Sequence, residues 1–217
     1  RFPIILEEAL SLFKYYSKQF LCQFALNFLN LNYLKAMSFL KHNSYKEIPM
    51  DCEYITFGMG CFWGAEKRFW EVKGLKTTVV GYSGGKTDNP TYEEVCSGQT
   101  GHAEVVRVIL EKKNFSWDKL FQVFWESHDP TQFNRQGNDI GTQYRSAIFV
   151  KNETELQLAI NSKEKFQEIL NTHNYGLIQT EIKIIKTFFY AEEYHQKYLY
   201  KNPNGYCGLK GLKVSYN

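Results

Sequence analysis

The sequence Gly60-Cys61-Phe62-Trp63-Gly64-Ala65-Glu66 joins a predicted strand to a predicted helix. Residues 54–58 are β-branched and aromatic, which is typical of a strand. Apolar residues at helical spacing follow up to Val72, and Gly74 is predicted to end the helix. Cys61 is therefore predicted at a helix start, where unpaired amides and the helix dipole favour a thiolate. Because the dipole contributes only about 0.3–1 kcal/mol, a second group must complete the activation of this thiol.

Composition indicates an ordinary globular protein with one main domain and an appendage. Of the 217 residues, 43% are hydrophobic and 23% are charged. Residues 1–45 contain five of the 26 basic and two of the 23 acidic residues, so residues 46–217 are electrically neutral. This bulk charge gives no indication of nucleic-acid binding.

The cysteines indicate thiol chemistry rather than a disulfide framework or a zinc site. They are odd in number, widely spaced and without a Cys-x-x-Cys pair, at Cys22, Cys52, Cys61, Cys96 and Cys207. The histidines have no metal-binding spacing either. A reducing compartment and a reactive cysteine are the better interpretation.

Residues 1–45 are predicted to form an amphipathic helical extension, and residues 46–217 a single domain. Lys and Asn interrupt the apolar runs of the extension, which argues against a transmembrane span. Two interpretations of it stay open. It is either an upstream segment before a natural start at Met37, with the protein cytoplasmic, or a mitochondrial leader.

The remaining pattern alternates strands and helices, which predicts an α+β domain. The expected fold is a ferredoxin-like plait, with a mixed β-sheet flanked by helices and a long irregular C-terminal tail. Predicted strands cover 76–82, 102–110, 144–150 and 181–186. Predicted helices cover 91–96, 117–127, 152–172 and 191–200, with a polar loop at 128–143.

Seven further blocks, with the opening stretch, resemble the A-type peptide-methionine sulfoxide reductases, in order from about Tyr54 to Gly211. The blocks are Gly81-Tyr82-Ser83-Gly84-Gly85, Asn89-Pro90-Thr91-Tyr92-Glu93-Glu94-Val95-Cys96-Ser97-Gly98, Thr100-Gly101-His102-Ala103-Glu104, His128-Asp129-Pro130-Thr131, Gln136-Gly137-Asn138-Asp139, Gly141-Thr142-Gln143-Tyr144-Arg145-Ser146 and Asn202-Pro203-Asn204-Gly205-Tyr206-Cys207-Gly208.

This resemblance implies thiol-dependent reduction of methionine S-sulfoxide in oxidised proteins, in peptides or as the free amino acid. It implies a cysteine sulfenic acid and an intramolecular disulfide, with thioredoxin, or dithiothreitol in vitro, as the reductant. No bound cofactor, metal, nucleic acid or membrane is expected, and the protein is expected to be a monomer.

The resemblance also implies roles for residues around the opening stretch. Cys61 is the expected nucleophile. Phe62 and Trp63 are expected to bind the S-methyl group, although two aromatics at a helix start are otherwise typical of a core. Glu104 is the expected acid that protonates the sulfoxide oxygen, which requires a desolvated carboxyl that is neutral near pH 7.

Four residues complete the implied site. Tyr92 and Tyr144 are expected to donate hydrogen bonds to the sulfoxide oxygen, and Asp139 is expected to order the site. Cys207 resembles the resolving cysteine. Since Ser215 stands where many relatives have a further cysteine, the expected recycling disulfide is Cys61–Cys207 alone. Lys210 and Lys213 replace glycines of the family pattern in this tail.

Two other classes of function would explain fewer of these residues. A cysteine hydrolase would pair Cys61 with His102 or His195, but it would give no role to Glu104 or Cys207. A binding module without catalysis would not need the intact set of Cys61, Glu104 and Cys207.

Overall fold

The computed structural model describes residues 48–217. The predicted helix within residues 1–45 lies outside the described residues, and the domain boundary at residue 45 stays a prediction. Within residues 48–217, no helix is long and apolar enough to cross a membrane.

The described chain alternates strands and helices as follows. The strands are β1 (Cys52–Met59), β2 (Leu75–Ser83), β3 (Ala103–Glu111), β4 (Arg135–Gln136), β5 (Asp139–Ile140), β6 (Ser146–Val150), β7 (Glu181–Ile184) and β8 (Phe189–Tyr190). The helices are α1 (Phe62–Arg68), α2 (Tyr92–Cys96), α3 (Trp117–Ser127), α4 (Glu153–Thr172) and α5 (Tyr198–Lys201).

The main sheet has six strands in the order β7-β6-β1-β3-β2-β8. Its four central strands are antiparallel, and with α1 and α3 they follow the order β-α-β-β-α-β of a ferredoxin-like plait. Strand β7 adds to β6 in parallel, and β8 adds to β2 in antiparallel orientation. The predicted mixed α+β sheet is thus confirmed.

Strand register brings four distant segments to one edge of this sheet. Met59 near the end of β1 pairs with Ser146 at the start of β6, and Tyr82 near the end of β2 pairs with Glu104 near the start of β3. Cys61 follows Met59 by two residues. The candidate site residues therefore meet at this edge, although they are dispersed in sequence.

The core is aromatic, and both faces of the sheet are covered. On one face, the ring of Phe57 stacks on Phe69 and Phe124, with centroids 5.2 and 5.0 Å away. On the other face, the guanidinium of Arg107 lies between Tyr54 and Phe188, 4.4 and 4.1 Å from their ring centroids. Burial of both faces explains why eight of the nine residues of β3 are buried.

Local sequence signals predicted several of the helix starts correctly. Thr91 and Glu94 form the predicted capping box of α2. The side chain of Ser116 accepts from the amide of Lys119 at the start of α3, and Asn152 caps α4 in the same way.

Three predicted elements were wrong in extent. Helix α1 ends at Arg68 rather than near Gly74, because a turn with a Phe69 N–H to Glu66 C=O bond of 3.2 Å follows it. Tyr144 lies in a 3₁₀ turn (Thr142–Tyr144) before β6 rather than in the strand. The predicted loop at 128–143 also contains the β4–β5 hairpin.

The predicted helix at 191–200 is reduced to α5, and the strand β8 before it was not predicted. Residues 193–197 form turns, and side chains of this segment bond to distant parts of the chain. The Gln196 amide accepts from the N–H of Val80 and donates to its C=O, at 2.9 and 2.8 Å. Lys197, at a left-handed φ of 54°, donates to Glu66 at 2.8 Å inside the core.

Candidate active site

Cys61 is half-buried and occupies the N-cap position of α1, where the backbone leaves β1. The preceding residue, Gly60, has a φ of +92°, and a Cβ there would lie 2.6 Å from the Gln136 side chain. Only glycine fits both the left-handed backbone and this contact. The tight turn therefore fixes Cys61 between the end of β1 and the start of α1, which is the strand-to-helix position that was predicted.

The surroundings of Cys61 favour the neutral thiol. Burial raises its pKa, the charge of Glu104 raises it further, and the backbone amides of Trp63 and Gly64 lower it only in part. The helix start alone thus does not yield a resting thiolate. When Glu104 is neutral, its charge no longer opposes formation of the Cys61 thiolate.

Glu104 is 1% exposed and contacts the nucleophile's helix directly. Its Oε2 accepts a 3.0 Å hydrogen bond from the backbone amide of Phe62. Burial raises the pKa of Glu104 to about 8, against the effect of this hydrogen bond. The carboxyl is therefore mostly protonated at neutral pH, as a proton donor must be.

Phe62 and Trp63 occupy different environments, and we refer to the two together as the aromatic pair. Phe62 is fully buried, with its ring 6.0 Å from Tyr82 and 5.0 Å from His195. Trp63 is half-buried, stacks on Tyr198 at 3.9 Å and donates from Nε1 to Nδ1 of His195 at 3.0 Å. Trp63 is thus the member of the pair that can present an apolar surface to a ligand.

Tyr92 and Tyr144 both lie close enough to Glu104 for its charge to affect the pKa of their hydroxyls. Burial raises the pKa of each hydroxyl and the charge of Glu104 adds to the effect, so both stay protonated and able to donate. The Tyr92 hydroxyl also contacts the thiol of Cys96, one turn later in α2. This contact places Cys96 near the site.

Asp139 is half-buried on β5, and its charge contributes to the raised pKa of both Cys61 and Glu104. The hydroxyl of Tyr206 donates to its Oδ1 at 3.2 Å. The β4–β5 hairpin and the C-terminal tail thus meet beside the nucleophile. Sequence reasoning did not identify Tyr206, because this contact spans 67 residues.

Cys207 is an exposed thiol that lies against α1. A Cβ placed on Gly64 would be 3.2 Å from Cys207 Sγ, and Gly64 follows Cys61 by three residues. Arg68 holds the tail to the same helix by donating from Nη2 to the C=O of Leu209 at 3.0 Å. Further along the tail, the Ser215 hydroxyl bonds to Glu126 at 3.2 Å.

Among residues 48–217, His102, His128, His173 and His195 all form hydrogen bonds within the protein, and no group of His, Cys, Asp and Glu residues there could hold a metal ion. His128 is fully buried between the C=O of Phe124 and the hydroxyl of Ser146, both at 2.7 Å. His102 accepts from the amide of Gly85 at 3.0 Å and bonds Thr87 O at 2.8 Å. Of these four described histidines, only His195 joins the site, through a partner 132 residues away that no local sequence signal indicates.

Two thiols on one helix surface can be oxidised to a disulfide and reduced again, and a protonated carboxyl beside one of them can deliver a proton to a substrate. The fold and the site thus define a thiol-dependent oxidoreductase. The sequence profile described as "Peptide methionine sulfoxide reductase" matches residues 53–215, and the chain belongs to this family. The protein therefore reduces methionine sulfoxide by thiol chemistry.

Individual proteins agree with this assignment. The chain is 55% identical over 174 residues to a mitochondrial peptide methionine sulfoxide reductase of Homo sapiens, covering 80% of this chain and 74% of the human protein. It is similar to methionine sulfoxide reductase A of Corynebacterium diphtheriae, with a TM-score of 0.70 and 45% identity over 73% of this chain and 79% of the other. Mxr1 of Saccharomyces cerevisiae in complex with Trx2 matches with a TM-score of 0.50 and 27% identity, over 70% and 91%.

Proposed function

We propose that Cys61 reduces the S epimer of methionine sulfoxide, in oxidised proteins, in peptides or as the free amino acid. One observation carries the proposal: a buried carboxyl with a pKa of about 8 contacts the helix that begins after Cys61. In this role the neutral carboxyl of Glu104 places no negative charge beside Cys61 before the reaction, and its proton passes to the sulfoxide oxygen, which makes the sulfur electrophilic.

In the first step Cys61 attacks the sulfoxide sulfur. This attack forms a sulfur–sulfur bond. The S–O bond then breaks and the oxygen bonds to the Cys61 sulfur as the sulfur–sulfur bond breaks, so the substrate leaves as a thioether and Cys61 becomes a sulfenic acid that carries the oxygen and one proton. The substrate sulfur is reduced by two electrons and the Cys61 sulfur is oxidised by two. Tyr92 and Tyr144 donate hydrogen bonds to the oxygen during this step, and Asp139 orders the loop with Tyr206.

The aromatic pair selects the substrate in this scheme. Trp63 offers the partly exposed ring, and Phe62 closes the site from the core. Contact of a sulfur-bound methyl group with these rings is favourable, and the fixed positions of acid and rings allow only one epimer to present both oxygen and methyl correctly.

In the second step the thiol of Cys207 attacks the sulfenic sulfur, forms the Cys61–Cys207 disulfide and releases water. The position of Cys207 Sγ against Gly64 supports this direct pairing. A dithiol then reduces the disulfide. Similarity to yeast Mxr1 in complex with Trx2 favours thioredoxin as that dithiol, and dithiothreitol can replace it in vitro.

The hydrolase alternative has little support from the geometry. The ring nitrogens of His102 bond to Gly85 and Thr87, and Nδ1 of His195 accepts from Trp63. Neither ring is placed by these contacts to activate Cys61.

Similar proteins of Homo sapiens and Mus musculus are mitochondrial peptide methionine sulfoxide reductases. This similarity favours a mitochondrial compartment over the cytoplasm for this protein, with residues 1–45 as a leader. Sequencing the N-terminus of the protein isolated from its native cell tests this. That the protein is a monomer stays a prediction, which light scattering would check. The expected absence of nucleic-acid and membrane partners also stays a prediction.

The activity test supplies a peptide with one sulfoxide epimer and dithiothreitol, and then thioredoxin with its reductase. We expect turnover of the S epimer only, with both reductants. Turnover of the R epimer alone would refute the proposed stereochemistry. Ester hydrolysis without sulfoxide reduction would refute the catalytic scheme and favour the hydrolase.

A further inference from the structure

Glu192 contacts three elements of the site from the turn segment 191–197. Its Oε2 accepts from the Tyr82 hydroxyl at 2.8 Å, and its Oε1 accepts from the backbone amide of Tyr92 at 2.9 Å. Oε2 also lies 3.9 Å from Nε2 of His195. Burial disfavours its charged form, but hydrogen bonds from its own backbone amide, from the backbone amide of Tyr92 and from the Tyr82 hydroxyl hold the pKa of Glu192 below its usual range. Glu192 is thus a carboxylate at neutral pH.

His195 links this carboxylate to Trp63. Its Nδ1 accepts from the indole N–H, so in the neutral ring the proton is on Nε2. Nε2 is buried and has no hydrogen-bond partner among the described residues, and it faces Glu192. A negative charge at this distance favours the tautomer that has its N–H on Nε2, and this tautomer leaves Nδ1 free to accept.

The indole of Trp63 is thereby held at two places. One face stacks on Tyr198 with an interplanar angle of 17°, and its N–H is fixed by His195. Stacking alone permits the ring to slide in its own plane, whereas the hydrogen bond sets its position in that plane.

We propose that Glu192 is a positioning residue that acts through His195 to fix the indole of Trp63, and so sets how closely the site fits the S-methyl group. The inference rests on the proposed role of Trp63 in binding that methyl group. It adds a specificity element from a part of the chain outside the nucleophile's helix.

The test compares kcat/KM for peptides with methionine sulfoxide and with ethionine sulfoxide, which has one more methylene. A close-fitting pocket distinguishes such a pair by about tenfold or more. Glu192→Gln keeps the size of the side chain and removes the charge, and it should reduce this preference by about threefold. Glu193→Gln is the matched control, because that neighbouring side chain is 61% exposed, and it should leave the preference unchanged.

The ratio of the two kcat/KM values does not depend on the concentration of active enzyme, so a partly unfolded variant still gives a valid result. His195→Leu removes the acceptor of the indole N–H, and it should also reduce the preference for methionine sulfoxide over ethionine sulfoxide. His195→Asn keeps an acceptor near the position of Nδ1 and should restore most of it. In a Trp63→Phe background, which has no indole N–H, Glu192→Gln should change the preference no further.

An unchanged preference in both Glu192→Gln and His195→Leu would overturn the inference, and so would an equal change in Glu193→Gln. Failure of the unsubstituted protein to reduce either sulfoxide would instead refute the proposed function. The two failures are therefore distinguishable.

Discussion

The carboxyl of Glu104 accepts a hydrogen bond of 3.0 Å from the backbone amide of Phe62, the residue directly after Cys61. This contact connects the start of β3 to the start of α1. It places a carboxyl of raised pKa beside a thiol, and burial, together with the charge of this carboxyl, raises the pKa of the thiol. The first two predictions concern this pair.

The rate of sulfoxide reduction should depend on protonated Glu104. Because the pKa of Glu104 is raised to about 8, the single-turnover rate should fall as pH increases through that value. Glu104→Gln should lower the rate by about 10²–10⁴-fold and abolish this decrease. Quenched-flow measurements on both sides of the pKa check it. Glu111→Gln, at the other end of β3, should keep both the rate and the profile.

Glu104→Gln should also change how stability depends on pH. A carboxyl with a raised folded-state pKa destabilises the fold once pH exceeds its ordinary value, and the loss is complete above the folded value of about 8. The variant should match the original protein in acid and exceed it above pH 8, by on the order of 4 kcal/mol. Urea unfolding at the two pH extremes measures the difference. Equal stability at high pH would contradict the burial of a charge at this position.

Cys207→Ser should retain one turnover and lose recycling by thioredoxin. The variant can form the sulfenic acid but not the Cys61–Cys207 disulfide. Stoichiometric methionine release without reductant, followed by thioredoxin-driven turnover, separates the two steps. Cys96→Ser is the informative control, since Cys96 is a second thiol close to Tyr92. Continued cycling in Cys207→Ser, with loss of cycling in Cys96→Ser, would identify Cys96 as the resolving thiol instead.

Gly64→Ala should slow disulfide formation more than it slows sulfoxide reduction. The added methyl group would meet Leu209 Cβ at 3.1 Å and Cys207 Sγ at 3.2 Å, so the tail must move away from α1. We expect about a tenfold fall in the rate of sulfenic acid resolution. Gly176→Ala, where a Cβ has no neighbour within 4 Å, controls for the substitution itself. If the sulfenic acid is converted to the disulfide as fast as in the control, the added methyl group does not displace Cys207, and the prediction is wrong.

Glu66→Ala should destabilise the protein strongly. Glu66 and Lys197 are both fully buried and bonded at 2.8 Å, and Thr78 donates to the same carboxylate at 2.9 Å. Removal of one partner leaves an uncompensated buried charge, which costs about 3–5 kcal/mol. Glu193→Ala breaks the exposed pair with Lys201 and should cost about 0–1 kcal/mol. Urea unfolding compares the two, and similar losses would contradict the prediction.

The fold could be predicted where its signals are local. The capping residues Thr91, Ser116 and Asn152 begin helices at the predicted positions, and the strand-turn-helix order places Cys61 correctly. Segment 191–197 could not be predicted, because its turns depend on bonds from Gln196 to Val80 and from Lys197 to Glu66. Such contacts override helix propensity and have no local pattern.

The same distinction applies to the site. The family resemblance supplied Cys61, Glu104 and Cys207 from contiguous motifs. His195, Glu192 and Tyr206 contact the site only through partners far away in sequence. The neighbours of His195 and Glu192 along the chain give no indication of these contacts, and the motif that contains Tyr206 and Cys207 does not indicate the bond from Tyr206 to Asp139.

The position of Trp63 against His195 has a consequence for the nascent chain. Synthesis proceeds from the N-terminus, so Cys61 and Trp63 leave the ribosome 132 residues before the histidine that fixes the indole. Pairing of β8 with β2 also requires this late part of the chain, the tail that docks on α1 is synthesised after His195, and such long-range contacts form slowly. A partly synthesised chain therefore displays a cysteine without its complete pocket, and the catalyst first exists when the last quarter of the domain has docked.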